Sequence, residues 1–142
     1  MKMLRDIMTE EIEVCNPEDN VYEAALKMKQ MDVGAIPICK DRQLLGMITD
    51  RDIVIRGVAE KRPNSTQVTD IMSERLLTAE ADMSVDDAAK MMADHQIRRL
   101  PIVENSNLVG IVSLGDLAVH TSTANEAGYA LSEISESEHY HH

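Results

Sequence analysis

The clearest hydrophobic periodicity in the chain begins at Val21. Apolar residues recur at positions i, i+3, i+4, i+7 and i+10, which are Val21, Ala24, Ala25, Met28 and Met31. This spacing places them on one face of an α-helix. Asn20 and Glu23 are spaced as the N-cap and N3 residues of that helix. The pattern therefore predicts an amphipathic helix that starts at about residue 21.

Two short apolar stretches follow this helix. They span residues 35–39 and 44–49, and the polar residues 40–43 separate them. They predict two strands joined by a turn. A further helix is predicted over roughly residues 50–59, and a short apolar stretch at residues 12–14 predicts an opening strand. The predicted order of elements is β-α-β-β-α.

The whole pattern occurs twice. Residues 4–57 align without a gap on residues 68–121, with 13 identities in 54 positions. Chance would give about three or four, given the usual frequencies of common residues. The second copy predicts a helix that starts after Ser84, strands at 100–103 and 108–112, and a helix over 114–120. A single copy is marginal in size, so we expect the two copies to share one core.

Composition excludes several classes of function. Lys and Arg number 14 against 25 Asp and Glu, which gives a net charge of −11. That charge argues against nucleic-acid binding and against docking on an anionic membrane. The chain has no Phe or Trp, which nearly excludes base stacking on aromatic side chains. The sequence has no signal peptide and no apolar run of membrane-spanning length, so we expect a soluble protein in a reducing cytoplasm.

No constellation of catalytic residues is evident. We find no Ser/His/Asp or Cys/His set, no metal-ligand cluster and no glycine-rich phosphate loop. Cys39 lies in a predicted apolar strand and is expected to be inert, whereas Cys15 could be exposed. We therefore predict that the protein is not an enzyme and that no metal is bound. The histidines of residues 139–142 are interpreted as part of a frayed tail.

The duplicated motifs resemble the CBS domain, a family named after cystathionine beta-synthase whose members occur as tandem pairs. The resemblance rests on three motifs in the first copy, which are Asp6-Ile7-Met8-Thr9, Gly34-Ala35-Ile36-Pro37-Ile38 and Gly46-Met47-Ile48-Thr49-Asp50-Arg51-Asp52-Ile53. The counterparts in the second copy are Asp70-Ile71-Met72-Ser73, residues 95–103 and residues 110–117. The match covers about residues 3–121.

The resemblance implies an α+β fold in which two tandem β-α-β-β-α units pack as a pseudo-two-fold pair. We assign residues 3–60 to the first unit, 61–67 to a linker and 68–121 to the second unit. Residues 122–142 form an acidic C-terminal tail, partly helical or disordered. Ala127, Leu131 and Ile134 have the spacing of one short amphipathic helix within it.

Thr49-Asp50-Arg51-Asp52 allows two interpretations. Thr49 and Asp52 have capping-box spacing, so the motif can simply start a helix. Alternatively, free N–H groups at the helix start and the guanidinium of Arg51 attract a phosphate, while Asp52 accepts hydrogen bonds from the two ribose hydroxyls. In CBS pairs, as the resemblance implies, the Thr/Ser and Asp of this motif face a nucleotide.

Gly34-Ala35-Ile36-Pro37 is the second candidate element of a site. Small residues here leave room for a flat base, with Ile36 and Ile12 as apolar walls and backbone groups to read the adenine edge. Gly34 is also expected to permit an unusual backbone angle at the entry to the strand.

The second copy differs in its basic residues. Ser113 and Asp116 match Thr49 and Asp52, but no arginine lies between them. Its arginines are Arg98 and Arg99, which align with Gly34 and Ala35 and precede Pro101. They are interpreted either as a solvated charge pair or as phosphate ligands. Arg56, one helical turn after Asp52, is another candidate phosphate contact. The difference leaves open whether both sites bind.

These observations lead to two hypotheses. The first is a regulatory sensor that binds AMP, ADP or ATP in the cleft between the two CBS motifs and signals to a protein partner; S-adenosylmethionine and NAD remain alternatives. The second is a ligand-free scaffold that acts through dimerisation. No cofactor is required in either case. We expect a homodimer, as CBS pairs commonly form, that covers the helical faces with Met28, Met31, Met91 and Met92.

Overall fold

The computed structural model of the protein describes residues 2–120. The predicted acidic tail of residues 122–142, with its amphipathic helix and its histidines, lies outside these residues. No helix within residues 2–120 is long and apolar enough to cross a membrane.

Both halves of the chain have the same order of elements, which is helix, strand, strand, helix. The first half contains α1 (Val21–Met31), β1 (Ala35–Lys40), β2 (Gln43–Thr49) and α2 (Asp50–Asp52), which continues as a π-helical segment (Ile53–Val58). The second half contains α3 (Val85–His95), β3 (Arg99–Glu104), β4 (Asn107–Ser113) and α4 (Leu114–His120). Short 3-10 turns precede the halves at Leu4–Asp6 and Val68–Asp70.

The predicted helices and strands are confirmed, with two differences. The opening strands are reduced to single parallel bridges, which join Cys15 to Ile38 and Ala79 to Ile102. The helix predicted over residues 50–59 changes after its first turn to π-helical winding, in which the N–H of Ala59 donates to the carbonyl of Val54 at 2.8 Å.

The long helices begin and end as their sequences dictate. At the start of α1, Asn20 Oδ1 accepts from the N–H of Glu23 at 2.8 Å, and Glu23 Oε1 accepts from the N–H of Asn20 at 3.2 Å. At the start of α3, Ser84 Oγ accepts from the N–H of Asp87 at 3.1 Å. Both helices end on a left-handed residue, Asp32 (φ 54°) and its counterpart Gln96 (φ 53°). The repeat is thus preserved in backbone detail.

The chain forms two compact units whose limits differ from those of the sequence repeats. The unit that contains α1, called the α1 unit, comprises Glu13–Leu76 and Ser106–Leu108. The unit that contains α3, called the α3 unit, comprises residues 2–12, 77–105 and 109–120. Each unit therefore includes the opening segment of the other sequence repeat. Residues 68–76 of the second repeat lie in the α1 unit, and residues 2–12, which open the first repeat, lie in the α3 unit. These two stretches are called the exchanged segments. Gap-free alignment of two copies cannot show this exchange, because it does not say which copy a segment packs against.

Backbone hydrogen bonds fix each exchanged segment at equivalent positions. In the α1 unit, Met47 and Ser73 exchange N–H···O bonds of 3.0 and 2.8 Å. In the α3 unit, their counterparts Ile111 and Thr9 exchange bonds of 3.0 and 2.9 Å. Each exchanged segment thus adds an antiparallel bridge to its unit. In the α1 unit the bridge adjoins the β1–β2 pair, and in the α3 unit it adjoins the β3–β4 pair.

Each unit has its own hydrophobic core. The core cluster of the α1 unit contains nine buried residues, which are Cys15, Val21, Ala24, Met28, Ile36, Ile38, Ile48, Val68 and Ile71. The α3 unit buries a separate cluster that is centred on α3 and includes Leu4, Met92, Leu100, Ile102 and Leu117. The expectation of one shared core is therefore wrong, since the exchanged segments supply Val68, Ile71 and Leu4 as the apolar surface that each unit needs.

Two glycines permit the close approach of the exchanged segments. A Cβ on Gly46 would lie 2.7 Å from the carbonyl oxygen of Ser73 and 2.7 Å from Met72 Sδ. A Cβ on Gly110 would overlap Met8 Sδ and lie 2.8 Å from Met8 Cγ. Neither glycine has a positive φ, so both are required for space and not for backbone conformation.

We predict that Gly46→Ala lowers the free energy of unfolding by about 1–3 kcal/mol, the usual cost of overpacking a filled site. The new methyl group would meet backbone at Ser73, which cannot shift without stretching its bonds to Met47. Urea denaturation followed by circular dichroism measures the change.

Gly115→Ala is the matched control. A Cβ at Gly115 would have Ser113 Oγ as its nearest neighbour, at 3.8 Å. Alanine is also the better helix former, so this variant should unfold at the same or a higher urea concentration than wild type. Equal stability of the Gly46 and Gly115 variants would contradict the role of the exchanged segment.

Candidate functional site

The β2–α2 corner of the α1 unit contains the predicted Thr49–Asp52 motif. Thr49 Oγ1 accepts from the N–H of Asp52 at 3.0 Å, and Asp52 Oδ2 accepts from the N–H of Thr49 at 3.0 Å. The capping interpretation is therefore confirmed. Asp52 Oδ1 makes no hydrogen bond to any part of the chain that the structure describes, and the side chain is half-buried. One oxygen of the carboxylate thus remains available to a ligand.

Gly34 and Ala35 lie beside this corner. The N–H of Asp50 donates to the carbonyl of Gly34 at 2.9 Å, and Ala35 is the register partner of Thr49. A Cβ on Gly34 would lie 3.0 Å from Asp50 Oδ2, so a larger residue would clash with the side chain of Asp50 at the corner. Gly34 does not have a positive φ, and the prediction of an unusual backbone angle is wrong.

The other predicted contacts of a base are placed less favourably. Ile36 is 1% exposed and packs in the core of the α1 unit. Pro37 is also buried. Ile12 is half-buried and belongs to the α3 unit. The side chain of Ile36 therefore packs in the core and is not available as a wall for a base.

The two arginines after Thr49 differ in their attachment to the protein. Arg51 is exposed, and its backbone N–H donates to Asp50 Oδ1 at 2.8 Å. Arg56 Nη1 donates to the carbonyls of Ile71 and Met72, at 3.3 and 3.0 Å. Arg51 is therefore free to reach a ligand at the corner, whereas Arg56 is anchored on the exchanged segment.

Arg56 also lines a surface depression together with residues that were not predicted to contact a ligand, among them Thr69, Ser73 and Arg75. Ser73 ends the Asp70-Ile71-Met72-Ser73 motif of the second repeat, Thr69 directly precedes this motif, and Arg75 follows it. Only the segment exchange brings them to an arginine of the first repeat, so sequence spacing gave no signal.

The α3 unit reproduces the corner with different charges. Ser113 Oγ accepts from the N–H of Asp116 at 3.1 Å, and Asp116 Oδ2 accepts from the N–H of Ser113 at 3.1 Å. The N–H of Leu114 donates to the carbonyl of Arg98 at 2.9 Å, as Asp50 does to Gly34. Arg98 is exposed and Arg99 is half-buried, while Pro101 is buried. The alignment of Arg98 with Gly34 thus holds in space.

Both cysteines are buried, so Cys15, whose exposure the sequence left open, is not exposed. Burial raises the pKa of the Cys15 thiol to about 11, although the ammonium of Lys27 acts in the opposite direction. Burial also raises the pKa of Cys39. Because the thiolate is the nucleophile, neither cysteine contributes reactive chemistry at neutral pH.

Comparison with known sequences gives extensive matches. The sequence model of the CBS domain matches residues 4–57 and 68–121. YlbB of Bacillus subtilis (strain 168) is 49% identical over 138 residues, which are 96% of this chain and 93% of YlbB.

Comparison with solved structures agrees. A crystal structure of Hypoxic Response Protein I with two coordinated zinc ions is 37% identical and superposes with a TM-score of 0.76, covering 84% of this chain and 99% of that one. The CBS domain pair of protein MJ0100, in complex with 5-methylthioadenosine and S-adenosyl-L-methionine, is 26% identical with a TM-score of 0.72, and it covers 83% of this chain and 98% of its own.

The zinc ions belong to the structure of Hypoxic Response Protein I. In this chain, residues 2–120 contain no group of three or more His, Cys, Asp or Glu side chains arranged to hold a metal ion.

Proposed function

Because the chain belongs to the CBS domain family and contains a tandem pair of CBS domains, we propose that it is a regulatory module that senses an adenosine-containing ligand. AMP, ADP and ATP are the leading candidates, with S-adenosylmethionine and NAD as alternatives. In this proposal the ligand contacts the CBS motifs, and its occupancy is passed to a protein partner. The protein acts as a regulator and not as an enzyme, and it needs no cofactor.

The proposal rests on the carboxylate of Asp52, which has one oxygen that the helix cap does not use. A carboxylate offers about four lone-pair sites, and the helix cap uses only Oδ2. Oδ1 can accept from a ribose hydroxyl without loss of the cap. Arg51 is exposed beside it and can pair with a phosphate. The complex of the MJ0100 pair with two adenosine compounds supports this class of ligand.

The two corners are not equivalent in this proposal. Gly115 stands in the α3 unit where Arg51 stands in the α1 unit, so the Asp116 corner lacks the adjacent cation. Arg98 and Arg99 are the candidate phosphate contacts of the α3 unit. We therefore assign the principal site to Asp52 and a weaker or empty site to Asp116.

Asp52→Asn is expected to weaken binding of AMP by about ten- to a hundredfold, equivalent to roughly 1.5–3 kcal/mol. The amide keeps an oxygen for the cap but presents a donor to the ribose hydroxyl. The same variant should bind AMP and 2′-deoxy-AMP with similar affinity, whereas wild type should prefer AMP. Isothermal titration calorimetry measures both ratios.

Asp116→Asn is the matched control because it makes the same change in an equivalent helix cap. It should retain most of the wild-type affinity. Unchanged affinity in the Asp52 variant would refute the ribose contact and leave the cap as the role of this residue. Weakened binding only in the Asp116 variant would move the principal site to the α3 unit.

The second part of the proposal is assembly into a homodimer. Met28 and Met92 cannot contribute to an interface as predicted, because they are 7% and 0% exposed and belong to the two cores. Other apolar residues of the α1 unit are exposed instead, on α1 and on the π-helical segment that contacts it, namely Tyr22, Leu26, Met31, Val54, Ile55 and Val58. Exposed apolar side chains on two contacting elements are the kind of surface that forms interaction sites, and a self-complementary patch closes with two-fold symmetry.

The double variant Val54→Asp, Val58→Asp should be monomeric at micromolar concentration, where wild type is dimeric. Both side chains are more than half exposed, at 55% and 68%, so the variant should still fold. Sedimentation velocity distinguishes the two states. Ser65→Asp adds charge in an exposed loop and should remain dimeric. A monomeric wild type would refute the dimer and weaken the scaffold alternative.

A further inference from the structure

A surface depression of about 400 Å³ lies within the α1 unit, and none of its lining residues belongs to the Thr49–Asp52 corner. It forms between the end of the π-helical segment and the exchanged segment of the second repeat. The side chains around it are almost all polar and include Arg56, Thr69, Asp70, Ser73, Glu74 and Arg75.

Arg56 is held in place inside this depression. Its Nη1 donates to the carbonyls of Ile71 and Met72 at 3.3 and 3.0 Å, which fixes the plane of the guanidinium. A guanidinium carries five N–H donors, and these two bonds use only Nη1. The N–H groups on Nη2 and Nε make no hydrogen bond within residues 2–120. The protein therefore holds a forked cation in position before any ligand binds.

Arg75 supplies a second positive charge. It is exposed and makes no hydrogen bond or ion pair with the described part of the chain. The carboxylates of Asp70 and Glu74 line the same depression, yet neither forms a salt bridge with Arg56 or Arg75. Within residues 2–120, both guanidinium groups thus lack a contacting anion.

Hydroxyl groups complete the set of donors. Ser73 is positioned by its two backbone bonds to Met47, and its side chain is left for the depression. Thr69 lies in the 3-10 turn Val68–Asp70, which is anchored by a bond of 2.9 Å from the N–H of Val68 to the carbonyl of Asp19. Forked guanidinium groups and hydroxyls together are the donors that proteins use for a phosphate group.

We propose that this depression binds a phosphate group between Arg56 and Arg75. The two carboxylates limit the charge that it accepts, because the formal charges of the two arginines and the two acids sum to zero. A single phosphate or phosphate monoester is therefore favoured over a polyphosphate, whose further charges would face Asp70 and Glu74. The site is independent of Asp52, and it stands or fails separately from the proposed adenosine site.

Titration with inorganic phosphate tests the site. In ¹⁵N–¹H spectra of the full chain, phosphate should shift the Nε–H signals of Arg56 and Arg75 and the backbone signals of residues 69–75. Pyrophosphate should bind more weakly than phosphate. Arg75→Gln should weaken phosphate binding by about tenfold or more, because it removes a charged donor. This variant should fold normally, because Arg75 is exposed and unbonded within residues 2–120.

Arg62→Gln is the matched control. Arg62 is exposed in the same unit, and its only hydrogen bond within residues 2–120 runs from its backbone N–H to the carbonyl of Gly57. Loss of phosphate binding in the Arg75 variant but not in the Arg62 variant supports the site. Equal effects of the two variants, or no binding to wild type, would overturn it.

Adenosine and AMP identify the source of the phosphate group. If AMP binds more tightly than adenosine, and Arg75→Gln removes the difference, the depression holds the phosphate of the nucleotide. If phosphate and AMP bind together without competition, it holds a free anion. Adenosine carries no phosphate and should bind wild type and Arg75→Gln equally. If adenosine does not bind but phosphate still does, the proposed function is refuted and the proposed phosphate site is not.

Discussion

Each unit of this fold is held together by an exchanged segment that packs directly against a glycine. Gly46 and Gly110 have no side chain, so the backbone and methionine of a segment from the other repeat can lie directly against them. The segments then supply apolar residues to the two cores and complete the backbone pairing through Met47–Ser73 and Thr9–Ile111. The exchange also brings Thr69, Ser73 and Arg75 to Arg56, which no single repeat could do.

The β2–α2 corner combines a structural role with the proposed binding role. The Thr49–Asp52 cap satisfies backbone groups at the helix start, and it orients a carboxylate that retains one oxygen without a hydrogen bond to the described residues. The same cap occurs at Ser113–Asp116, so the motif has this structural role in both units. The proposed preference for one corner rests on the exposed cation, Arg51, which has Gly115 as its counterpart. The structural role of the motif and its proposed role in recognition are therefore compatible.

Local features of the fold could be predicted from the sequence because they depend on near neighbours. Asn20 and Glu23 specify the start of α1, and two short apolar stretches separated by a polar turn specify β1 and β2. Features that depend on distant partners could not be predicted. The segment exchange, the burial of Met28 and Cys15, and the anchoring of Arg56 by two carbonyls are all decided by tertiary packing. The corner residues Thr49, Asp52, Gly34 and Ala35 were brought together as predicted, whereas Ile36 turned inward.

Recognition of adenosine can be measured directly on the wild-type protein, without any variant. Native mass spectrometry of the wild-type protein with a panel of AMP, ADP, ATP, S-adenosylmethionine and NAD, beside CMP and CTP, reports both binding and base preference. If the proposed function is correct, at least one adenosine compound binds the folded protein, and the cytidine nucleotides bind more weakly. Absence of binding by every adenosine compound at millimolar concentration, or equal binding of CMP and AMP, would contradict it.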